Sequence, residues 1–161
     1  MSCLGAKSTK RKGDAQNYFK NGYMVKDSKA TMFKPITERE KWLTGEIVDI
    51  AITVHKALGP GLLESVYEKC FCYELGKRNI PFVNQKNASI VYDKMIIDGA
   101  LRIDIMVDNL IIIKMKAQSE YHPVWAAQLL SCLRLTGKRL GYILNFHVPL
   151  MKDGIKRMIL N

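Results

Sequence analysis

Two lysines stand two residues apart in "NLIIIKMKAQ", Asn109 to Gln118. Leu110, Ile111, Ile112 and Ile113 before them are an apolar, β-favouring run, which predicts a buried strand. Side-chain direction repeats every second residue along a strand, so Lys114 and Lys116 share a face. A carboxylate is near in the preceding predicted strand, where Asp104 interrupts the apolar "RIDIMV". A buried carboxylate is costly unless it is paired or bound to a metal. An ordinary ion pair with Arg102, its same-face neighbour, accounts for Asp104 equally well. On a predicted helix before the sheet, Glu64 and Tyr67 lie at i and i+3, on one face of one turn. A later helix carries Gln128, an amide that donates and accepts.

These types in this order approach a metal-dependent phosphodiesterase. Such a site needs two or three carboxylates around Mg²⁺ or Mn²⁺, which prefer oxygen ligands. It also needs a lysine to orient the attacking water or offset charge on a phosphorane-like transition state. Glu64 and Asp104 are the candidate metal ligands, and Lys116 is the candidate lysine. A further carboxylate is expected two residues before that lysine, where Lys114 stands. A protonated lysine only donates hydrogen bonds. At ~4 Å and an effective dielectric of about 20, one charge pair is worth about 4 kcal/mol, so replacing a carboxylate by an ammonium should sharply lower metal affinity. Asp98 or Glu120 could supply the missing carboxylate instead.

The elements that must position these groups follow from periodicity. Thr37 and Glu40 fit a capping box, and Leu43, Ile47, Ile50, Val54 and Leu58 recur at helical spacing. Gly59-Pro60-Gly61 ends that helix. A second helix is predicted from about Leu63 to Arg78, with Val66, Cys70, Tyr73 and Leu75 as its apolar stripe. The period then changes to two. "PFVNQKNASIVYD" reads as a strand broken at Lys86-Asn87, Asp93-Lys94 as a turn, and "KMIIDGALRIDIMV" as a second strand. Asp108-Asn109 turns the chain into the strand Leu110 to Lys116. A helix spans Pro123 to Thr136 and is closed by Gly137. "RLGYILNF" is a short buried strand, and "GIKRMIL" a final strand or short helix. The order α-α-β-β-β-α-β-β predicts an α/β (α+β) domain, a mixed sheet flanked by helices.

A chain of 161 residues suggests one domain with an appendage. Residues 1–38 read as a basic, partly disordered arm, and residues 39–161 as the folded domain. Within the arm, "NYFKNGYMV" could dock as a short strand or hairpin. The formal net charge of +10 points to nucleic acid first and an anionic membrane second, against a merely solubilising basic surface. Lys7, Lys10, Arg11, Lys12 and Lys20 are the candidate phosphate contacts. No apolar run approaches the ~20 residues of a membrane span. The start lacks the apolar core of a secretory signal. Its basic, Ser/Thr-bearing composition weakly suits organelle targeting, against which Asp14 and Asp27 count. Cys3, Cys70, Cys72 and Cys132 match no zinc spacing. They read as reduced thiols of an intracellular protein, cytoplasmic or nucleoid/nuclear. A homo-oligomer is compatible with the sequence.

"VHKALGPGLLESVYE", Val54 to Glu68, resembles the signature of the GxxExxY proteins, a branch of the PD-(D/E)XK nuclease superfamily. Gly61, Glu64 and Tyr67 match the named positions. The resemblance continues through "GALRIDIMV", "IIIKMKA", "AAQLLSCLRLTGKRLGYILNF" and "GIKRMIL", covering about residues 42–160. It implies a restriction-endonuclease-like core acting on DNA or another nucleic acid, with Mg²⁺ or Mn²⁺ as cofactor in active members. Asp104 matches the metal-binding aspartate, Lys116 the lysine of the E-x-K motif, Glu64 the helical glutamate and Gln128 the glutamine of the following helix. His55 matches a histidine of the first helix, for which a capping or core role is equally suitable. Two positions depart. Lys114 replaces the E-x-K glutamate, and Cys132 replaces the aromatic usually found four residues after the glutamine. Three readings follow: a catalytically impaired nuclease-fold protein that binds nucleic acid, an active Mg²⁺-dependent nuclease with a migrated carboxylate, and an interaction protein reusing the fold.

Overall fold

The computed structural model describes residues 34–160. Lys7, Lys10, Arg11, Lys12 and Lys20, and most of the expected arm, lie outside the described residues. The first helix, α1 (Glu38–Leu58), starts on the capping box expected from Thr37 and Glu40. The Thr37 hydroxyl accepts from Glu40 N at 3.1 Å, and Glu40 Oε2 accepts from Thr37 N at 2.8 Å. Leu43, Ile47, Ile50 and Val54 are buried as their spacing predicts, but Leu58, at the helix end, is exposed.

The next helix, α2 (Glu64–Lys77), corrects the expected stripe. Its buried residues are Tyr67, Phe71 and Leu75, spaced i, i+4, i+8, whereas Tyr73 lies on the solvent side. Large aromatic rings at the first two positions outweigh the smaller Val66 and Cys70 in setting which face turns inward.

Five strands form one mixed sheet: β1 (Phe82–Tyr92), β2 (Met95–Val107), β3 (Ile111–Lys116), β4 (Leu140–Asn145) and β5 (Ile155–Ile159). They lie in chain order, antiparallel except for the parallel β3–β4 pair. That parallel pair requires a crossover, and α3 (Val124–Thr136) supplies it. Gly137 closes α3 in the left-handed region at φ 65°. The turns at Asp93-Lys94 and Asp108-Asn109 are where the sequence puts them, with Asp93, Asp108 and Asn109 at positive φ. β1 is not broken at Lys86-Asn87, since both residues pair with β2, opposite Ile103 and Arg102. The irregularity falls further on, where Asp98, Gly99 and Ala100 of β2 stand opposite Ser89 alone. A four-residue helix, α4 (Met151–Gly154), precedes β5 and is an addition to the expected order.

Alternation along β3 sorts the core into two layers. Ile111, Ile113 and Met115 pack with α1 and α2 through Ile47, Val54, Tyr67 and Phe71. Ile112 packs on the other side with Trp125, Leu129 and Leu133 of α3. Lys114 and Lys116 alternate with Met115 and so belong, by pleat, to the α3 side. Among the described residues no helix is long and apolar enough to cross a membrane.

Candidate functional site

The site forms where β2 and β3 part. Their ladder pairs Ile105, Met106 and Val107 with Ile113, Ile112 and Ile111, and goes no further. Beyond it, side chains replace backbone pairing. Asp104 Oδ2 accepts from Met115 N at 3.2 Å, and Lys114 Nζ donates to Arg102 O at 2.6 Å. Lys114 Nζ also meets Asp104 Oδ1 at 3.0 Å, with the two side chains only 14% and 13% exposed. Asp104 therefore pairs with Lys114 and not with Arg102, whose Nε donates to Gln85 Oε1 at 2.5 Å.

Lys116 goes elsewhere. Its Nζ meets Glu64 Oε2 at 3.3 Å. Glu64 opens α2, where a carboxylate is favoured by the helix dipole as well as by Lys116. The two lysines thus leave one strand face for different carboxylates, making two adjacent ion pairs.

Tyr67 explains how Glu64 is aimed. Its hydroxyl donates to Gly59 O at 2.7 Å and accepts from Leu62 N at 3.0 Å, closing the Gly59–Leu62 turn from within α2. Its ring stacks on Phe146 at 4.5 Å. Gly59 and Gly61 occupy positive φ, at 69° and 101°, which lets this turn reverse the chain. Tyr67→Phe should leave the half-buried Gly59 carbonyl and the exposed Leu62 amide without their shared partner and cost about 0.5–1.5 kcal/mol. Urea unfolding checks this, and an unchanged midpoint would show that the turn holds without the hydroxyl.

His55 takes a structural role: Nε2 lies 2.8 Å from Val148 O, a pure acceptor, so Nε2 carries the proton. Asn145 is not legible in the sequence as a site residue, although a lone amide ending the apolar "YIL" is a signal. Its Oδ1 accepts from Gln118 N at 3.0 Å, and its Nδ2 donates to Gln118 O at 2.8 Å. This clamp fixes the path of the chain just after Lys116.

Gln128 lines an open cavity of about 430 Å³ with Arg102, Lys114 and Ser131. Cys132 is fully buried behind it. Burial pushes its thiol pKa up, with Lys114 drawing it down and Asp104 raising it further. A protonated thiol there is packing, not a ligand. Of the alternative carboxylates, Asp98 accepts from Ser89 Oγ at 2.6 Å out on the β1–β2 hairpin, and Glu120 is exposed in the loop after β3.

A divalent ion of the Mg²⁺ type needs several oxygen ligands at one point. Both Asp104 oxygens have N–H donors, Glu64 holds Lys116, and an ammonium stands beside Asp104. Among the described residues no three His, Cys, Asp or Glu side chains gather as a metal-holding group. The residues present do not fit such an ion.

No curated protein and no solved structure matches the chain. A family model of the PD-(D/E)XK nuclease superfamily matches residues 41–158, from the first turn of α1 into β5, and includes every residue of the two ion pairs. The chain belongs to the PD-(D/E)XK nuclease superfamily.

Proposed function

We propose that this is a nucleic-acid-binding member of the GxxExxY branch whose metal-dependent phosphodiester hydrolysis is impaired. The observation that carries the reading is the Lys114–Asp104 approach of 3.0 Å at the E-x-K position. Nucleases of the superfamily usually use a divalent metal. Here a fixed cation from the chain stands beside the aspartate that would hold it. Lys114 has three donors and spends two, on Arg102 O and Asp104. The third is available to the cavity that Gln128, Arg102 and Ser131 share with it. A phosphate is the anion that a superfamily of nucleases brings to such a place.

Lys7, Lys10, Arg11, Lys12 and Lys20 act in this reading as additional phosphate-binding groups, exchangeable and blind to sequence. Binding should therefore survive chelator and fall steeply with salt. Fluorescence anisotropy on single- and double-stranded DNA and RNA, across salt with EDTA present, measures both. Changing those five residues to glutamine should shallow the log–log salt slope on duplex DNA by about 0.9 for each phosphate no longer neutralised. An unchanged slope removes them from the interface. Binding that disappears in EDTA contradicts metal-free recognition.

A further inference from the structure

The cavity at Lys114 has walls suited to more than a phosphate. Leu101 and Arg102 of β2 line it from the sheet, and Ala127, Gln128 and Ser131 line it from α3, with Lys114 of β3 completing it. Ala127 and Ser131 lie one turn apart on an exposed face of α3, and both are small, which keeps the space open. Its volume, about 430 Å³, falls within the ~300–1,000 Å³ of pockets that take a small molecule, and one nucleotide is of that size.

The lining is basic on one part and apolar on another. Two cations line the cavity and no carboxylate does. Among the described residues, the Arg102 side chain bonds through Nε alone, Lys114 keeps one ammonium hydrogen, and the side chains of Gln128 and Ser131 make no hydrogen bond. Leu101 and Ala127 add apolar surface beside these donors. An anion joined to a flat ring system with a polar edge matches all of them at once. A phosphate meets Lys114 and Arg102, a base lies against Leu101 and Ala127, and Gln128 or Ser131 bonds to the base edge.

Burial selects the form of nucleic acid. The Lys114 side chain is only 14% exposed, so a phosphate reaches it only from inside the cavity. A duplex keeps its bases stacked and paired, and can place one in the cavity only at the cost of unpairing it. A single strand offers an unpaired base without that cost. Phosphate attraction alone acts in the opposite sense, because a duplex carries the denser charge.

We propose that this cavity binds one unpaired nucleotide of a single-stranded nucleic acid, DNA or RNA, and that the protein therefore prefers single strands to duplexes. The inference rests on the nucleic-acid-binding reading above and names the form of its ligand.

The test is fluorescence anisotropy of the full chain with EDTA present, on a strand of about 16 nucleotides as DNA and as RNA, and on the matching duplexes. The parent should bind at least one of the single strands about tenfold or more tighter than its duplex. Ala127→Phe fills the cavity from an exposed helix position and should bring that ratio down to about one. Ser131→Phe, one turn further on, should do the same, so that the inference does not hang on the folding of one variant. Circular dichroism identifies which variants are folded. A parent that binds duplexes as tightly as single strands overturns the inference and leaves nucleic-acid binding intact. A single-strand preference retained by a folded cavity-filling variant also overturns it. Failure to bind any of the four probes at low salt overturns the underlying reading as well.

Discussion

Replacing Lys114 with glutamate should make the protein's stability depend on divalent metal. In the parent, the Lys114 ammonium joins Asp104 Oδ1 to Arg102 O and so bridges β2 to β3 where their backbone ladder has ended. Lys114→Glu removes that bridge and sets a second carboxylate against Asp104. Breaking a largely covered ion pair costs about 3–5 kcal/mol, and part of that is recovered here because the site borders an open cavity. Without metal the variant should melt on the order of 10 °C below the parent. A cation then relieves the repulsion between Asp104 and the new carboxylate, with Glu64 as a further oxygen donor. At a hundredfold excess over its dissociation constant, a ligand adds about 2.7 kcal/mol. Mn²⁺ or Mg²⁺ should therefore raise the variant's melting temperature by several degrees and leave the parent's within about one degree. Adding Asp104→Asn to Lys114→Glu should remove the metal response. Thermal melts of the three proteins with and without metal decide it. A parent that is stabilised as much as the variant would show that oxygen ligands gather at the site despite Lys114.

The second large effect is expected from backbone packing rather than from charge. Gly154 ends α4 in a buried position, and a Cβ placed there would collide with the backbone carbonyl of Asn145 and lie 3.0 Å from Val148 Cγ2. A carbonyl in a strand ladder cannot swing aside as a flexible side chain can. Overpacking of this kind usually costs 1–3 kcal/mol, and Gly154→Ala should reach or exceed about 3 kcal/mol. Asn145 also holds Gln118 through its side chain, so the strain falls on the segment that follows Lys116. Gly45→Ala is the control. It sits exposed in α1, nothing lies within 4 Å of the added Cβ, and helix propensity favours alanine by about 1 kcal/mol. Denaturant melts should show the first variant strongly destabilised and the second unchanged or stabilised. Similar midpoints would mean that α4 shifts to accommodate the methyl group.

Much of the fold is legible in the sequence because its signals are local. The Thr37–Glu40 box, the Gly59-Pro60-Gly61 stop, the two aspartate-bearing turns and Gly137 each act through neighbours in the chain. The α2 stripe is ambiguous, because Cys70 and Tyr73 fit a helical period as well as Tyr67 and Phe71 do. Which set turns inward depends on Phe146, on which Tyr67 stacks. Lys86-Asn87 looks like a break in β1, but a surface strand tolerates it, whereas Gly99 at φ 65° marks the actual shift in pairing. At the site, the pleat puts Lys114 and Lys116 on one face but does not choose their partners. That choice is made by a strand divergence and by the start of α2, neither of which has a sequence period. Asn145 and α4 escape a sequence reading for the same reason, because they are held by segments remote in the chain.

If the Lys114–Asp104 pair stands in place of a metal-binding carboxylate, hydrolysis should follow the identity of residue 114. A cleavage assay on single- and double-stranded DNA and RNA, with Mg²⁺ and with Mn²⁺, measures this for the parent, Lys114→Glu and Lys114→Glu/Asp104→Asn. The parent should stay at background, Lys114→Glu should gain metal-dependent cleavage, and the double variant should lose it again. Efficient metal-dependent cleavage by the parent, abolished by Asp104→Asn, would contradict this role for Lys114.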